Sequence, residues 1–232
     1  MSPEYPWTRR PRMQLACLDM AGTTVGDDGL VERAAATAIE GCGLAPDDAA
    51  HAAALEIVRR TMGQSKISVF QRIFPEPDQA SQANLLFEKA YADLVAAGEV
   101  SALPGAADAM SSLRAMGVRV VLTTGFGRST QDAIIEALGW RQLVDLAVVP
   151  GDGLRGRPSP DLVWHAAMRL GIEDSRAIAV AGDSVSDMGC GVRAGAGIVA
   201  GILHGAHSGE ALDAAGATHL LDDVGGLVEL VA

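Results

Sequence analysis

The chain has 232 residues, 49% of them hydrophobic and 20% charged, enough apolar mass for a substantial core; this excludes a disordered polymer and allows one large domain or a core carrying an insertion. A formal charge of -11, with no concentrated Lys/Arg patch, excludes a general affinity for nucleic acid, and no apolar run approaches the roughly 20 residues that span a bilayer.

In chain order, "MSPEYPWTRRPRMQ" has arginines but no apolar centre, and it reads as a frayed leader rather than a secretory signal. "MQLACLD" at 13 to 19 is a short apolar run ending in a carboxylate, the pattern of a strand buried on both faces of a parallel sheet. From 28 to 101 the spacing turns helical: "LVERAAATAIEGCG", "PDDAAHAAALEIVRRTMG", "SKISVFQRIF" and "DQASQANLLFEKAYADLVAAG", punctuated by Gly43, Gly63 and Pro75. Strands and helices then alternate. Helix "PGAADAMSSLRAM" closes at Gly117, strand "VRVVLTT" covers 118 to 124, and helix "RSTQDAIIEAL" closes at Gly139. Strand "DLAVVP" covers 145 to 150, helix "SPDLVWHAAMRL" begins near Pro160 and closes at Gly171, and strand "AIAVAGD" covers 177 to 183. This order predicts an α/β fold: a Rossmann-like, doubly wound parallel sheet at 1–27 and 102–232, with an inserted helical module at 28–101.

In such sheets ligands bind beyond the carboxyl ends of the strands. Polar groups stand there in four places: Asp19 with "GTT", then Thr123, Thr124 and Gly125, then "GRP" at 156 to 158, then "GDSVSD" at 182 to 187. Singly, each fits a turn or a helix cap, and Ser184 or Ser186 is available as an N-cap. Cys17, Cys42 and Cys190 match no metal spacing and fit reduced thiols in the cytoplasm. The five histidines, His51, His165, His204, His207 and His219, form no ligand pair and read as surface or locally bonded side chains, and Trp7, Trp140 and Trp164 read as packing residues.

Taken together and in order, the four groups resemble the haloacid dehalogenase superfamily over about 13 to 225. The resemblance implies that Asp19 is a nucleophile, that Thr124 holds the transferred phosphoryl group and that Arg157 neutralises its charge. It also implies that Mg²⁺ is bound by Asp19, Asp183, Asp187 and the Ala21 carbonyl. Physically the set is coherent, because a carboxylate attacking an anionic phosphorus centre needs a hard cation and a planar cationic fork beside it. Gly22 and Thr23 of the turn, with Gly125 and Phe126 after the second strand, are expected to contact substrate, while Arg128 either contacts substrate or serves as a cap or surface pair.

Ala21 stands where many members of that superfamily place an acid for an alkoxide leaving group, a function worth roughly 10² to 10⁴ in rate. The segment "DMAGTT", the Arg of "GRP" and "MGQSK" at 62 to 66 are similar to one subgroup, the phosphonoacetaldehyde hydrolases. That similarity implies cleavage of a carbon–phosphorus bond, with Lys66 of the helical cap forming a Schiff base with a small carbonyl phosphonate and Met62 at the site wall. Such a lysine needs a lowered pKa, from burial or from nearby positive charge, and Arg59 and Arg60 lie just upstream. Two positions depart from the subgroup: Val69 replaces a histidine one turn after the lysine, and Phe126 replaces a tyrosine. Hydrolysis of a small-molecule phosphate monoester therefore stays open as the alternative. The resemblance further implies a homodimer through cap helices.

Overall fold

The structure, a computed structural model, describes residues 11–232. Most of the expected leader, with Trp7, lies outside the described residues. Among the described residues the sheet has six parallel strands: β1 (Leu15–Asp19), β2 (Arg119–Thr123), β3 (Leu146–Val148), β4 (Ile178–Gly182), β5 (Ile198–Ile202) and β6 (His219–Leu221). Their order is β3-β2-β1-β4-β5-β6. The chain thus starts in the middle of the sheet, builds outward to one edge, and returns to build the other, placing the switch point beside β1.

Alternation along β1 shows why these runs are apolar throughout. Ala16 and Leu18 join a cluster that includes Val120 and Leu122, while Leu15 and Cys17 face the opposite side with Val121, Leu162, Val163 and Ala166. Both faces are covered, so a charge inside the strand would have no route to water. The covering helices are α5 (Ala106–Ala115), α6 (Arg128–Ala137), α7 (Asp161–Leu170), α8 (Val185–Ala194), α9 (Gly209–Ala214) and α10 (Gly226–Val231).

Between β1 and α5 lie four helices: α1 (Leu30–Gly41), α2 (Ala49–Arg60), α3 (Lys66–Ile73) and α4 (Pro77–Ala96). α4 packs on α1, α3 and α6, and the apolar cluster runs without a break from the sheet face through Val31, Ala34, Phe70, Phe87 and Tyr91. The two connections into this insertion are tied together. Val25 bridges Ala102 in antiparallel fashion, the Gly26 amide donates to the Ser101 carbonyl at 2.9 Å, and the Leu103 amide donates to the Thr24 carbonyl at 2.9 Å. β5 and β6 extend the sheet beyond the four strands expected from the sequence. No helix among the described residues is long and apolar enough to cross a membrane.

Candidate active site

β1 is flanked by β2 and β4, with Asp19 in register with Thr123 and Leu18 with Ala181. This pairing brings Asp19, Thr124 and Asp183 to one edge of the sheet. There they line a cavity of about 290 Å³, together with Ala21, Gly22, Met62, Lys66, Gly125, Phe126 and Arg157. The turn after β1 is held locally: the Met20 carbonyl accepts from the Thr24 and Val25 amides at 2.9 and 2.8 Å, and Thr24 Oγ1 donates to the Asp19 carbonyl at 2.8 Å. Gly22 sits at φ 85°, and a Cβ there would lie 2.3 Å from Asp183 Oδ2, so only glycine lets the β1 turn approach that carboxylate.

Arg157 enters from the loop between β3 and α7. Its Nη1 donates to Asp19 Oδ1 at 2.5 Å and pairs with Asp187 Oδ1, while its Nε is buried without a partner among the described residues. Burial disfavours the guanidinium charge, but Asp187 and Asp19 outweigh it and hold the group protonated. Asp187 also forms a reciprocal capping box with Ser184 at the start of α8, which fixes its side chain beneath the cavity. Burial first, then Asp187, pushes Asp183 up to about 6. Asp19 is raised well above the ordinary carboxylate range by burial, with Asp187 and Asp183 adding to the shift and Arg157 opposing it. Asp19, Asp183 and Asp187 present ligand oxygens all within 4.8 Å of one another. An all-oxygen set of mutually repelling, buried carboxylates fits a small hard cation.

Lys66, the first residue of α3, is 8% exposed. Its amide donates to the Gly125 carbonyl at 3.1 Å, tying the insertion to the β2 loop. Nζ lies 5.3 Å from the Phe126 ring centroid and 5.6 Å from that of Phe87. Burial lowers its pKa to about 8; Arg157 lowers it further, while Asp27, Asp19 and Glu88 pull it back up. The two ring faces also favour the ammonium, so desolvation has to act against them. The sequence leaves open whether Arg59 and Arg60 face Lys66; both are exposed and paired with Glu32 and Glu56. The cation that acts on Lys66 is Arg157.

Three further positions read from the sequence have their place in the structure. Arg128 lies outside the cavity: at the start of α6 it is exposed, and its Nη1 donates to the Ala147 carbonyl at 2.8 Å and to Gln131 Oε1 at 3.1 Å. Thr23 does not line the cavity either; it is buried and donates to Asp183 Oδ1 at 3.3 Å, steadying that carboxylate. His51 is buried on α2 with Nε2 3.6 Å from Glu40, the locally bonded of the two readings open for the histidines.

Other residues complete the walls without having been singled out. Asp27 and Asp28 line the cavity, and so do His204, Gly205 and Ala206 of the loop after β5. The Ala206 amide donates to Asp183 Oδ2 at 2.6 Å. Recognising "IVAGI" as a strand would have pointed to that loop.

Residues 13–195 match the family described as haloacid dehalogenase-like hydrolase. The chain belongs to that family. This haloacid dehalogenase-like hydrolase is 28% identical over 204 residues to a phosphonoacetaldehyde hydrolase of Bacteroides fragilis, covering 79% of this chain and 73% of that one. It shares its fold with a phosphonoacetaldehyde hydrolase-like protein from Oleispira antarctica, at TM-score 0.79 and 21% identity over 96% of this chain and 92% of that one. A hydrolase of the same family from Deinococcus radiodurans, solved with bound phosphate and sodium, superposes with TM-score 0.65 at 26% identity over 93% of each chain. Hydrolases of this family generally use Mg²⁺, and the buried carboxylate triad of this one suits that ion.

Proposed function

We propose that this hydrolase cleaves the carbon–phosphorus bond of a small carbonyl phosphonate, phosphonoacetaldehyde or a close analogue. The observation that carries the proposal is Lys66: a buried amine with its pKa lowered to about 8 lines the same cavity as Asp19, and Ala21 places no acid beside them. An amine near that pKa is partly neutral at physiological pH and can attack an aldehyde carbon. The resulting imine draws electrons toward nitrogen, so that when Asp19 attacks phosphorus the breaking bond leaves its electrons on carbon as an enamine. No alkoxide departs, and an alanine at 21 is then no handicap.

Thr124 and the Arg157 fork hold the phosphonate oxygens, and the aspartyl-phosphate formed on Asp19 is opened by water. Mg²⁺ held by Asp19, Asp183, Asp187 and the Ala21 carbonyl would supply the hard positive charge that offsets repulsion between carboxylate and phosphonate. The similarity to a phosphonoacetaldehyde hydrolase supports this reading. Residues 28–101 act as the cap and 1–27 with 102–232 as the core, with the Val25–Ala102 tie as the natural hinge. The free thiols Cys17, Cys42 and Cys190 suit a cytoplasmic enzyme.

A second reading, hydrolysis of a phosphate monoester with Lys66 serving only to bind an anion, is favoured by Val69, which lies in the apolar core where it can move no proton. A side-by-side screen of phosphonates and phosphate esters with Mg²⁺, reading released phosphate, separates the two. Asp19→Asn is expected to lower turnover by roughly 10⁴-fold or more in either case. Lys66→Ala is expected to abolish carbon–phosphorus cleavage; ester hydrolysis that survives it, without phosphonate cleavage in the wild type, selects the second reading.

A further inference from the structure

An imine-forming amine has to lose a proton before it attacks, and the carbinolamine it forms has to gain one before water leaves. The titratable groups whose charge acts on Lys66 are Asp27, Arg157, Asp19 and Glu88. Arg157 accepts no proton, and Asp19 is paired with it. Glu88 has both oxygens engaged, one by the Gly127 amide at 2.8 Å and the other by the Thr130 hydroxyl. Asp27 is different. It lines the cavity with Lys66, its Oδ1 accepts from the Val31 amide at 3.1 Å, and its Oδ2 makes no hydrogen bond among the described residues. Among the described residues no ion pair joins it to Lys66, yet both line the same cavity and its charge acts on the amine.

The groups that act on Asp27 are Lys66, Asp28 and Glu32, and its own charge reaches the buried hydroxyl of Tyr91, which has no partner among the described residues. Tyr91 packs on Phe126 at 4.6 Å between ring centroids, so the wall around the amine offers few other proton acceptors. Burial raises the Asp27 carboxyl above its ordinary range, making it a stronger base than an exposed aspartate.

We infer that Asp27 is the proton relay of the lysine, a role that rests on the imine reading above. The Asp27 carboxylate takes one proton from the Lys66 ammonium through one bridging water, and the freed lone pair bonds to the carbonyl carbon. A second proton moves from nitrogen to the former carbonyl oxygen, giving the neutral carbinolamine. The Asp27 carboxyl then returns its proton to that hydroxyl, the carbon–oxygen bond breaks, water leaves, and the nitrogen lone pair closes the protonated imine. One ammonium and one aldehyde thus become one iminium and one water, and the carboxylate is regenerated.

The test is the rate at which phosphonoacetaldehyde and borohydride attach to Lys66, read by peptide mass, in the wild type, Asp27→Asn and Asp27→Glu. Asparagine keeps the acceptor for the Val31 amide but cannot titrate. If Asp27 acted only through its charge, removing it would lower the lysine pKa further and speed trapping at pH 7. A relay predicts the opposite sign: trapping slows by about 10²-fold in Asp27→Asn and is largely retained in Asp27→Glu. Asp27→Ser, which also keeps a capping oxygen, must show the same slowing, and it decides the matter if the asparagine variant does not fold. Trapping that is unchanged or faster in the non-titrating variants overturns the relay and leaves the imine standing. A wild-type Lys66 that is never labelled overturns both.

Discussion

Burying the Lys66 ammonium opposes folding, and its neighbours only partly compensate. Its folded pKa of about 8 lies below the ordinary 10.5. Between those values the unfolded chain binds more protons than the folded one, so stability rises with pH across that window, and below about pH 8 the whole penalty is present. At about 1.4 kcal/mol per pH unit the penalty is at most roughly 3 kcal/mol, and the two aromatic faces reduce it by about 1 kcal/mol. Lys66→Met keeps the stem and removes the charge. It is expected to stabilise the protein by about 1 to 3 kcal/mol at pH 7 and to flatten the rise between pH 8 and 10.5. Urea unfolding at several pH values measures both, and a variant less stable than wild type at pH 7 would show that the amine is not desolvated. The same desolvation that weakens the fold makes the amine a nucleophile, so a gain in stability with loss of carbon–phosphorus cleavage is the joint signature.

The elements meet at the site through backbone as much as through side chains. A Cβ on Gly125 would lie 2.1 Å from the Gln64 carbonyl, which belongs to the loop preceding α3, and the Ser186 hydroxyl donates to the Met62 carbonyl at 3.1 Å from the start of α8. Gly125→Ala is therefore expected to push the α3 loop away from β2 while leaving the sheet intact. It should lower kcat/KM by roughly 10²-fold with little change in unfolding midpoint, checked by steady-state kinetics beside thermal melts; an unaltered kcat/KM would mean the loop shifts freely. Neither contact is visible in sequence, because each joins residues far apart in the chain. The elements themselves were more legible. The runs ending at Asp19, Thr124 and Asp183 declared themselves because each strand is apolar on both faces and then turns abruptly polar. "IVAGI" of β5 carries only one branched residue beside two small ones in its interior and ends in no charged group, and the three-residue β6 is too short for any period. The sequence leaves Arg128 open between substrate contact and a local bond because a first-turn helix residue can point toward the ligand or back along the sheet, and its bond to the Ala147 carbonyl is set only by the fold. Asp27 carries no signal in the sequence because its cap to Val31 is local, whereas it shares a cavity with Lys66 only once α1 and α3 both pack on α4.

At the scale of the whole molecule, a chain with formal charge -11 is expected to handle an anionic substrate, and it carries more negative charge into the cavity than Arg157 alone neutralises. Three carboxylates, Asp19, Asp183 and Asp187, converge there at the switch point of the sheet. Without a cation, Asp183 titrates at about 6 rather than 3.8, so as pH rises from about 4 to 6 the unfolded chain ionises first and stability falls. Above that range the repulsion is fully present, and below it a proton competes for the same oxygens that a metal would use. Mg²⁺ at about 100 times its Kd is expected to stabilise by about 2.7 kcal/mol, which for a chain of this size raises Tm by roughly 5 to 10 °C. The increase should appear at pH 7.5, shrink to a small fraction at pH 4.5, and be reversed by chelation. Asp183→Asn should lose the Mg²⁺ response while melting higher than the metal-free wild type at pH 7.5, since it removes one of the repelling charges. Differential scanning calorimetry with and without Mg²⁺ at the two pH values reads all of these outcomes, and an equal Tm rise at both would place the ion somewhere other than this cluster.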